Sequence, residues 1–434
     1  AMEIKRDVYL DRLIVRKHNG LIKVITGIRR SGKSYLLNTL FYRHLIAENI
    51  SEDHIIKFAF DSAEDLLKIG EDPIVLDNEK EDRKVDPSKF INWLMPQIKG
   101  GDMYYLLLDE VQKLGAFESV LNGFLRRENL DVYVTGSNSK FLSKDILTEF
   151  RGRGDEVHVL PLSFSEYYAF KQGDKSEAYD DYSVYGGLPA VALMVTEEQK
   201  TNYLISQMQN LYLRDIVNRH AVQDETALGE VIDVIASGIS TLTNPRKIAN
   251  TMNTIHGTKT CDATVDRYIG YAEEAFILTR VKRYNVKGRK YIGTPYKIYF
   301  EDVGLRNVRL SFRQIEGTHM MENIIYNELR YRGYQVDVGT VESREKDSSG
   351  KEIRVQREID FIASLGSKKY YIQSAYAIPD QEKYEQETKS FEHTMDSFKK
   401  IIIIEKSMKP RYDEHGYLMM GVKEFLLDAN SLLI

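Results

Sequence analysis

Between Leu21 and about Leu160 the chain alternates short, densely apolar runs with longer amphipathic ones. The runs LIKVIT, IIKFAF, YYLLLD, LDVYVT and EVHVL are rich in β-branched and aromatic residues and bounded by polar segments, which predicts strands. Nearly continuous apolar strands separated by helix-length stretches predict a mostly parallel sheet covered by helices on both faces, an α/β fold. After Leu160 the pattern turns helical through YGGLPA and YLRDIVNRH. From Asp224 it reads as three helices (LGEVIDVIASGI, NPRKIANTM, ATVDRYIGYAEEA) and a hairpin, FILTRVKRY across NVKGRK to YIGTPYKIYF. Beyond residue 318 it gives a helix (MMENIIYNELRYRGY), strands QVDVGTV, IRVQREIDFIAS and KKYYIQSAYAI, and a helical run into KKIIIIEK. This pattern predicts four parts: a core at 1–165, a helical segment at 166–222, a three-helix-plus-hairpin segment at 223–315 and a second α/β segment at 316–434.

The junction of the first strand with the first helix reads GIRRSGKS. It fits the phosphate-binding pattern G-x-x-x-x-G-K-[ST], in which glycines turn backbone N–H groups inward and the following helix N-terminus favours negative charge. Gly27, Ile28, Arg29, Arg30, Ser31, Gly32, Lys33, Ser34 and Tyr35 are the expected nucleotide envelope, with Lys33 on the β- and γ-phosphates and Ser34 on Mg²⁺. YYLLLDEVQ ends a buried strand in Asp109, a candidate Mg²⁺ ligand, and Glu110, a candidate to orient or deprotonate water. The strand LDVYVT runs into GSNS. That puts Ser137 and Asn138 at a carboxyl end, where ligands of open α/β sheets gather, although a helix N-cap explains the same residues. Arg151 and Arg153, in EFRGRGDEV, are candidates to neutralise transition-state charge in cis or across a subunit boundary, or are surface arginines in a glycine turn.

In this order GIRRSGKS, LLLDEVQ, VTGSNS, FRGRGDEVHVLPLSFSEY, YGGLPAV and YLRDIVNRH resemble a widespread group of prokaryotic AAA-type P-loop ATPases whose carboxy-terminal region has no well-defined function. The resemblance implies ATP and Mg²⁺ as ligands, strand order 5-1-4-3-2, a helical lid after the core, Arg151 or Arg153 as a finger between subunits, and a homo-oligomer.

Composition bears mainly on partners. A formal net charge of -5, with 42% hydrophobic and 29% charged residues, argues against a general polyanion binder. The average conceals an island, since residues 276–298 carry seven Lys or Arg and no Asp or Glu. Three helices followed by a hairpin resemble a winged helix. On that reading Arg267 of the third helix and Arg283, Lys287, Arg289 and Lys290 of the hairpin are the expected DNA contacts. Winged helices also bind proteins, and cationic hairpins also serve as solvated edges that resist aggregation.

The last segment resembles restriction-endonuclease-like folds. Glu322 in its first helix and Asp360 in a central strand match two positions of their metal site, but Gln373, Ser374 and Ala375 stand where E-x-K belongs. Lys368 and Lys369 lie upstream of that strand. The expectation is a retained shell without cutting activity.

The apolar runs at Tyr104–Leu108 and Ile401–Ile404 are too short to span a membrane. A lone Cys261 leaves no internal disulfide, and the start AMEIKRDVYL has no signal core; Ala1 before Met2 reads as a cloning remnant. Together these favour the cytoplasm. The sequence thus predicts an ATP-hydrolysing machine acting on DNA, with a nucleotide-gated scaffold for a protein partner as the alternative.

Overall fold

The computed structural model describes residues 3–76, 83–137, 150 and 152–434. The chain forms two compact units, Ile4–Pro161 and Leu162–Ile434. In the first, β1 (Ile22–Thr26), β2 (Ile55–Ala59), β3 (Tyr104–Asp109), β4 (Leu130–Thr135) and β5 (Gly154–His158) pair in parallel in the order β2-β3-β4-β1-β5, which from the other edge runs 5-1-4-3-2. β1, β3 and β4 are buried along their whole length because side chains on both faces meet apolar partners. Val24, Ile56, Leu106 and Val132 share one core with Phe90 and Leu94 of helix Pro87–Leu94 and with Leu121 and Phe124 of helix Phe117–Phe124. On the other face Phe41, from the helix spanning 33–47, packs its ring 4.5 Å from that of Tyr133.

Two charges lie inside this sheet. Lys23 is 0% exposed, and its ammonium donates to Asp131 at 2.5 Å while the Tyr133 hydroxyl donates to the same carboxylate at 2.7 Å. Burial pulls the lysine below its ordinary range, and Asp131 works against that pull.

The second unit is built on a mixed sheet of eight strands: β6 (Leu278–Asn285), β7 (Lys290–Phe300), β8 (Gln335–Lys346), β9 (Glu352–Leu365), β10 (Lys368–Ser374), β11 (Lys399–Ile404), β12 (Arg411–Tyr412) and β13 (Leu418–Gly421), in the order β12-β13-β11-β10-β9-β8-β6-β7. The three expected helices stand at Glu225–Ser237, Pro245–His256 and Asp262–Glu274. The hairpin β6–β7 follows, but β6 pairs in parallel with β8, Arg283 opposite Val338. The hairpin thus fills part of its backbone hydrogen bonds from the C-terminal sheet instead of standing alone. The helical segment after Leu160 clusters with the C-terminal region.

The turn YGGLPA is fixed by residues 301–307. Asp302 is buried and accepts N–H bonds from Gly187 at 2.7 Å and Gly304 at 2.9 Å, while the Asn307 amide donates to the carbonyls of Ser183 and Val184. A Cβ on Gly187 would stand 2.3 Å from the Leu162 carbonyl and one on Gly304 2.2 Å from that of Tyr185, so both contacts require glycine.

Glu328, on helix Gly317–Tyr331, accepts from Arg332 at 3.0 Å with one oxygen, and its other oxygen is buried without a hydrogen-bond partner. Burial outweighs the arginine and raises the carboxyl to about 7. A carboxyl raised in the folded state keeps a proton that the unfolded chain has released. Its stabilisation is therefore complete below the unfolded value near 4.5 and is lost as pH rises through about 7. Glu328→Gln imitates the protonated form. It should leave the melting temperature unchanged near pH 4.5 and raise stability at pH 8 by about 2–3 kcal/mol, measured by thermal unfolding across pH; an unchanged pH profile would count against the raised carboxyl.

Candidate nucleotide site

The phosphate loop opens at the carboxyl end of β1. Gly27 has φ 146° and Gly32 φ 98°, conformations that side-chain-bearing residues avoid, and a Cβ on Gly27 would lie 2.4 Å from the Val159 carbonyl. Within the turn, the Lys33 ammonium donates to the carbonyls of Gly27 at 2.8 Å and Ile28 at 2.9 Å. Ile28, Ser31 and Lys33 are buried, Arg30 and Ser34 are exposed, Arg29 is half-buried, and Tyr35 is 40% exposed. From beneath, Arg6 donates to the carbonyls of Ser31 at 2.9 Å and Leu160 at 2.7 Å. No sequence motif marks Arg6, which reaches the loop from the segment before the first helix.

The tips of β3 and β4 bring the second group of residues together. Asp109 accepts from the Thr135 hydroxyl and, at 3.5 Å, from Asn38 on the loop's own helix. Glu110 adopts a left-handed φ of 53°, and its N–H donates to Thr135 Oγ1 at 3.1 Å. Its carboxylate accepts from Ser137 Oγ at 3.0 and 3.2 Å and from Gln112. Ser137 therefore sits on the candidate water-activating carboxylate. Asn138 lies outside the described residues.

Thr135 and Asp61 escaped the sequence analysis. Thr135 ties Asp109 to the backbone of Glu110. Asp61, two residues past β2, keeps an exposed surface, yet desolvation by its surroundings and then the carboxylates of Glu110 and Asp109 raise its carboxyl. A signal for Asp61 existed, since IIKFAFD ends an apolar run in an acid just as YYLLLDE does.

Arg151 lies outside the described residues. Arg153 is exposed and directly precedes β5, whose Gly154 pairs with Ile22 and whose His158 pairs with Thr26. Four residues of strand, about 13 Å, separate its level from the loop end of the sheet. The strand direction thus corrects the expectation of a finger acting in cis, because Arg153 stands at the edge away from its own phosphate loop.

In the second unit Arg267 is exposed on its helix, and Lys287, Arg289 and Lys290 are exposed at the hairpin tip. Arg283 is corrected. It is 8% exposed, and its guanidinium donates to the carbonyls of Pro295 at 2.9 Å and Thr294 at 3.0 Å, so it is spent on backbone instead of facing phosphate. Arg280 pairs with Glu273 and Asp266, and Lys297 is turned inward. Glu322 and Asp360 both reach the ammonium of Lys297, at 3.0 and 3.6 Å, a lysine that is neither Lys368 nor Lys369. Burial raises Glu322 to about 7 against the pull of Lys297. For Lys297, burial acts to lower the ammonium, but Glu322, Asp360 and Glu358 outweigh it and hold the charge.

Residues 19–168, which hold the parallel sheet, the loop and the acid-tipped β3, match the model of an AAA domain. Residues 176–316 match a domain of unknown function, which runs through both the helical segment and the hairpin. As a whole, the chain belongs to one family with an uncharacterised protein of Haemophilus influenzae, 34% identical over 410 residues and covering 93% of this chain and 94% of that protein. An uncharacterised protein of Methanocaldococcus jannaschii is 26% identical over 449 residues, 99% of this chain and 90% of its own. Among solved structures, the Aeropyrum pernix Orc1 protein in complex with DNA shares 10% identity over 71% of this chain and 93% of its own, with a TM-score of 0.28. Cdc6p from Pyrobaculum aerophilum shares 11% over 75% and 96%, with a TM-score of 0.30. No helix among the described residues is long and apolar enough to cross a membrane.

Proposed function

We propose that the chain binds ATP with Mg²⁺ at Gly27–Ser34, hydrolyses it through Glu110, and uses the cycle to act on DNA through the second unit. The carrying observation is the loop with the Lys33 ammonium folded inside it, in one sheet with the paired acids of β3.

The residues fit the ligand. Gly27 lets the loop pass against the Val159 carbonyl where a side chain would collide, and Ser31 Oγ is buried without a hydrogen-bond partner. Lys33 can exchange two carbonyls for phosphate oxygens by turning outward. Ser34 and Asp109 would hold Mg²⁺, which when bound neutralises phosphate charge. Thr135 fixes Asp109, and Ser137 with Gln112 aims Glu110, so the chain itself contributes binding and orientation of water. A finger role for Arg153 requires a second copy, which makes the active form a homo-oligomer.

For DNA the support is the exposed set Lys287, Arg289 and Lys290 with Arg267. Reversing Lys287, Arg289 and Lys290 to glutamate should weaken duplex binding at least about tenfold. It should also lower the slope of log affinity against log salt by up to about three. Unchanged affinity in that variant would remove the DNA reading. The direct test is ATP hydrolysis with and without duplex and branched DNA.

A protein-partner reading is favoured by one observation: Arg280, Arg283 and Lys297, three of the island's seven cations, are consumed inside the fold. It expects oligomer size to follow nucleotide and DNA to leave turnover unchanged.

A further inference from the structure

Lys297 stands within a group of carboxylates drawn from separate parts of the second unit. It comes from β7, Glu322 from helix Gly317–Tyr331, and Glu358 and Asp360 from one face of β9. The ammonium lies 3.0 Å from Glu322, 2.5 Å from Glu358 and 3.6 Å from Asp360, and the lysine side chain is 3% exposed. Three acids from two elements thus converge on one buried positive centre, and the arrangement is organised around a cation already present in the chain.

The surroundings close off other roles for the neighbouring groups. Tyr299 donates to Glu322 at 2.6 Å, and the Ser374 N–H donates to Asp360 at 2.8 Å. Gln373, where the endonuclease pattern requires an acid, accepts from the Asp360 N–H at 2.8 Å and donates to the Glu387 carbonyl at 2.8 Å. Its amide is tied to backbone and offers no ligand.

We propose that the Lys297 ammonium is the resident cation of this cluster, occupying the position a divalent ion would need, so that the sheet takes no metal and does not cut. A metal there would compete for the same oxygens at contact distance from a like charge on a side chain only 3% exposed, and the two exclude each other. The exposed edge of the cluster, where Glu358 is 34% exposed, still admits small ions once the ammonium is gone. Replacing Lys297 by an uncharged side chain leaves three carboxylates with no cation, and a divalent ion becomes the natural replacement. The inference concerns the second unit alone and stands or falls separately from the nucleotide reading.

The test uses the full chain without nucleotide, titrated with Mn²⁺ and with Tb³⁺. Tyr299, in contact with Glu322, serves as the sensitiser of Tb³⁺ emission on excitation of tyrosine. Wild type should show no Mn²⁺ or Tb³⁺ binding that Asp360→Asn removes. Lys297→Met should gain one saturable site at least about tenfold tighter than any in wild type, lost again on adding Asp360→Asn. Millimolar Mn²⁺ should raise the melting temperature of that variant by roughly 5 °C and leave wild type unmoved. If Lys297→Met does not fold, Lys297→Gln, which is uncharged but still offers an amide donor to the acids, must show the same Mn²⁺-dependent rise. Asp360-dependent Mn²⁺ binding in wild type overturns the proposal. So do variants that fold and gain no site, or that stay unfolded even with Mn²⁺ present.

Discussion

Glu110→Gln should bind ATP as tightly as the parent chain and lose turnover by about 10²–10⁴, the usual contribution of a positioned general base. The geometry makes this specific. The amide has the size of the carboxylate and can accept from Ser137 Oγ as the carboxylate does, so only the basicity is removed. Lys33→Ala should instead abolish binding, because the ammonium is the one buried charge in the described loop. Equilibrium binding of a fluorescent ATP analogue together with phosphate release separates the two. If Glu110→Gln kept more than about a tenth of the parent rate, the water-activating role would have to move to another acid, and Asp61 is the neighbour placed to take it.

Asp131→Ala should destabilise the first unit by about 3–5 kcal/mol. It leaves Lys23 as an uncompensated charge at 0% exposure and strips the Tyr133 hydroxyl of its acceptor. The loss should appear as a fall of about 6–20 °C in the melting temperature of that unit. Lys23→Met combined with Asp131→Leu should recover most of it, because a buried ion pair exchanged as a pair for apolar residues is close to neutral. A double variant as unstable as Asp131→Ala would show that packing, and not charge, governs the site.

Some features were legible because they are local. A phosphate loop is a few residues of backbone chemistry, in which glycines permit positive φ, a helix follows, and a lysine lies within reach. Strand β3 was legible for the same reason, since six consecutive buried positions need six apolar or capped residues, and YYLLLD supplies them. The partners of these residues were not local. Thr135 meets Asp109 only because β3 and β4 are neighbours in register, Leu108 opposite Val134. Arg6 meets the loop across the chain, and nothing in EIKRDVYL marks it.

The basic island shows the limit most clearly. Charge along a sequence is additive, so residues 276–298 read as +7. In the fold, alternation along the strands turns Arg283 and Lys297 inward, while Lys287 and Arg289 in the turn and Lys290 at the start of β7 face water. Which cations remain outside depends on what packs over the hairpin, and β8, β9 and helix Gly317–Tyr331 all lie later in the chain.

By itself the sequence determined the short-range chemistry of this protein: a glycine-lined turn between strand and helix, an acid at a strand tip, and the alternation that makes a parallel sheet. Only the tertiary structure decided where distant charges go. It placed Arg153 at the far edge from its own loop, spent Arg283 on backbone carbonyls, and set Lys297 among Glu322, Glu358 and Asp360. The physical reason is that backbone conformation answers to neighbours in sequence, whereas the partner of a buried charge is fixed by strand register and packing between segments that meet only in the folded chain.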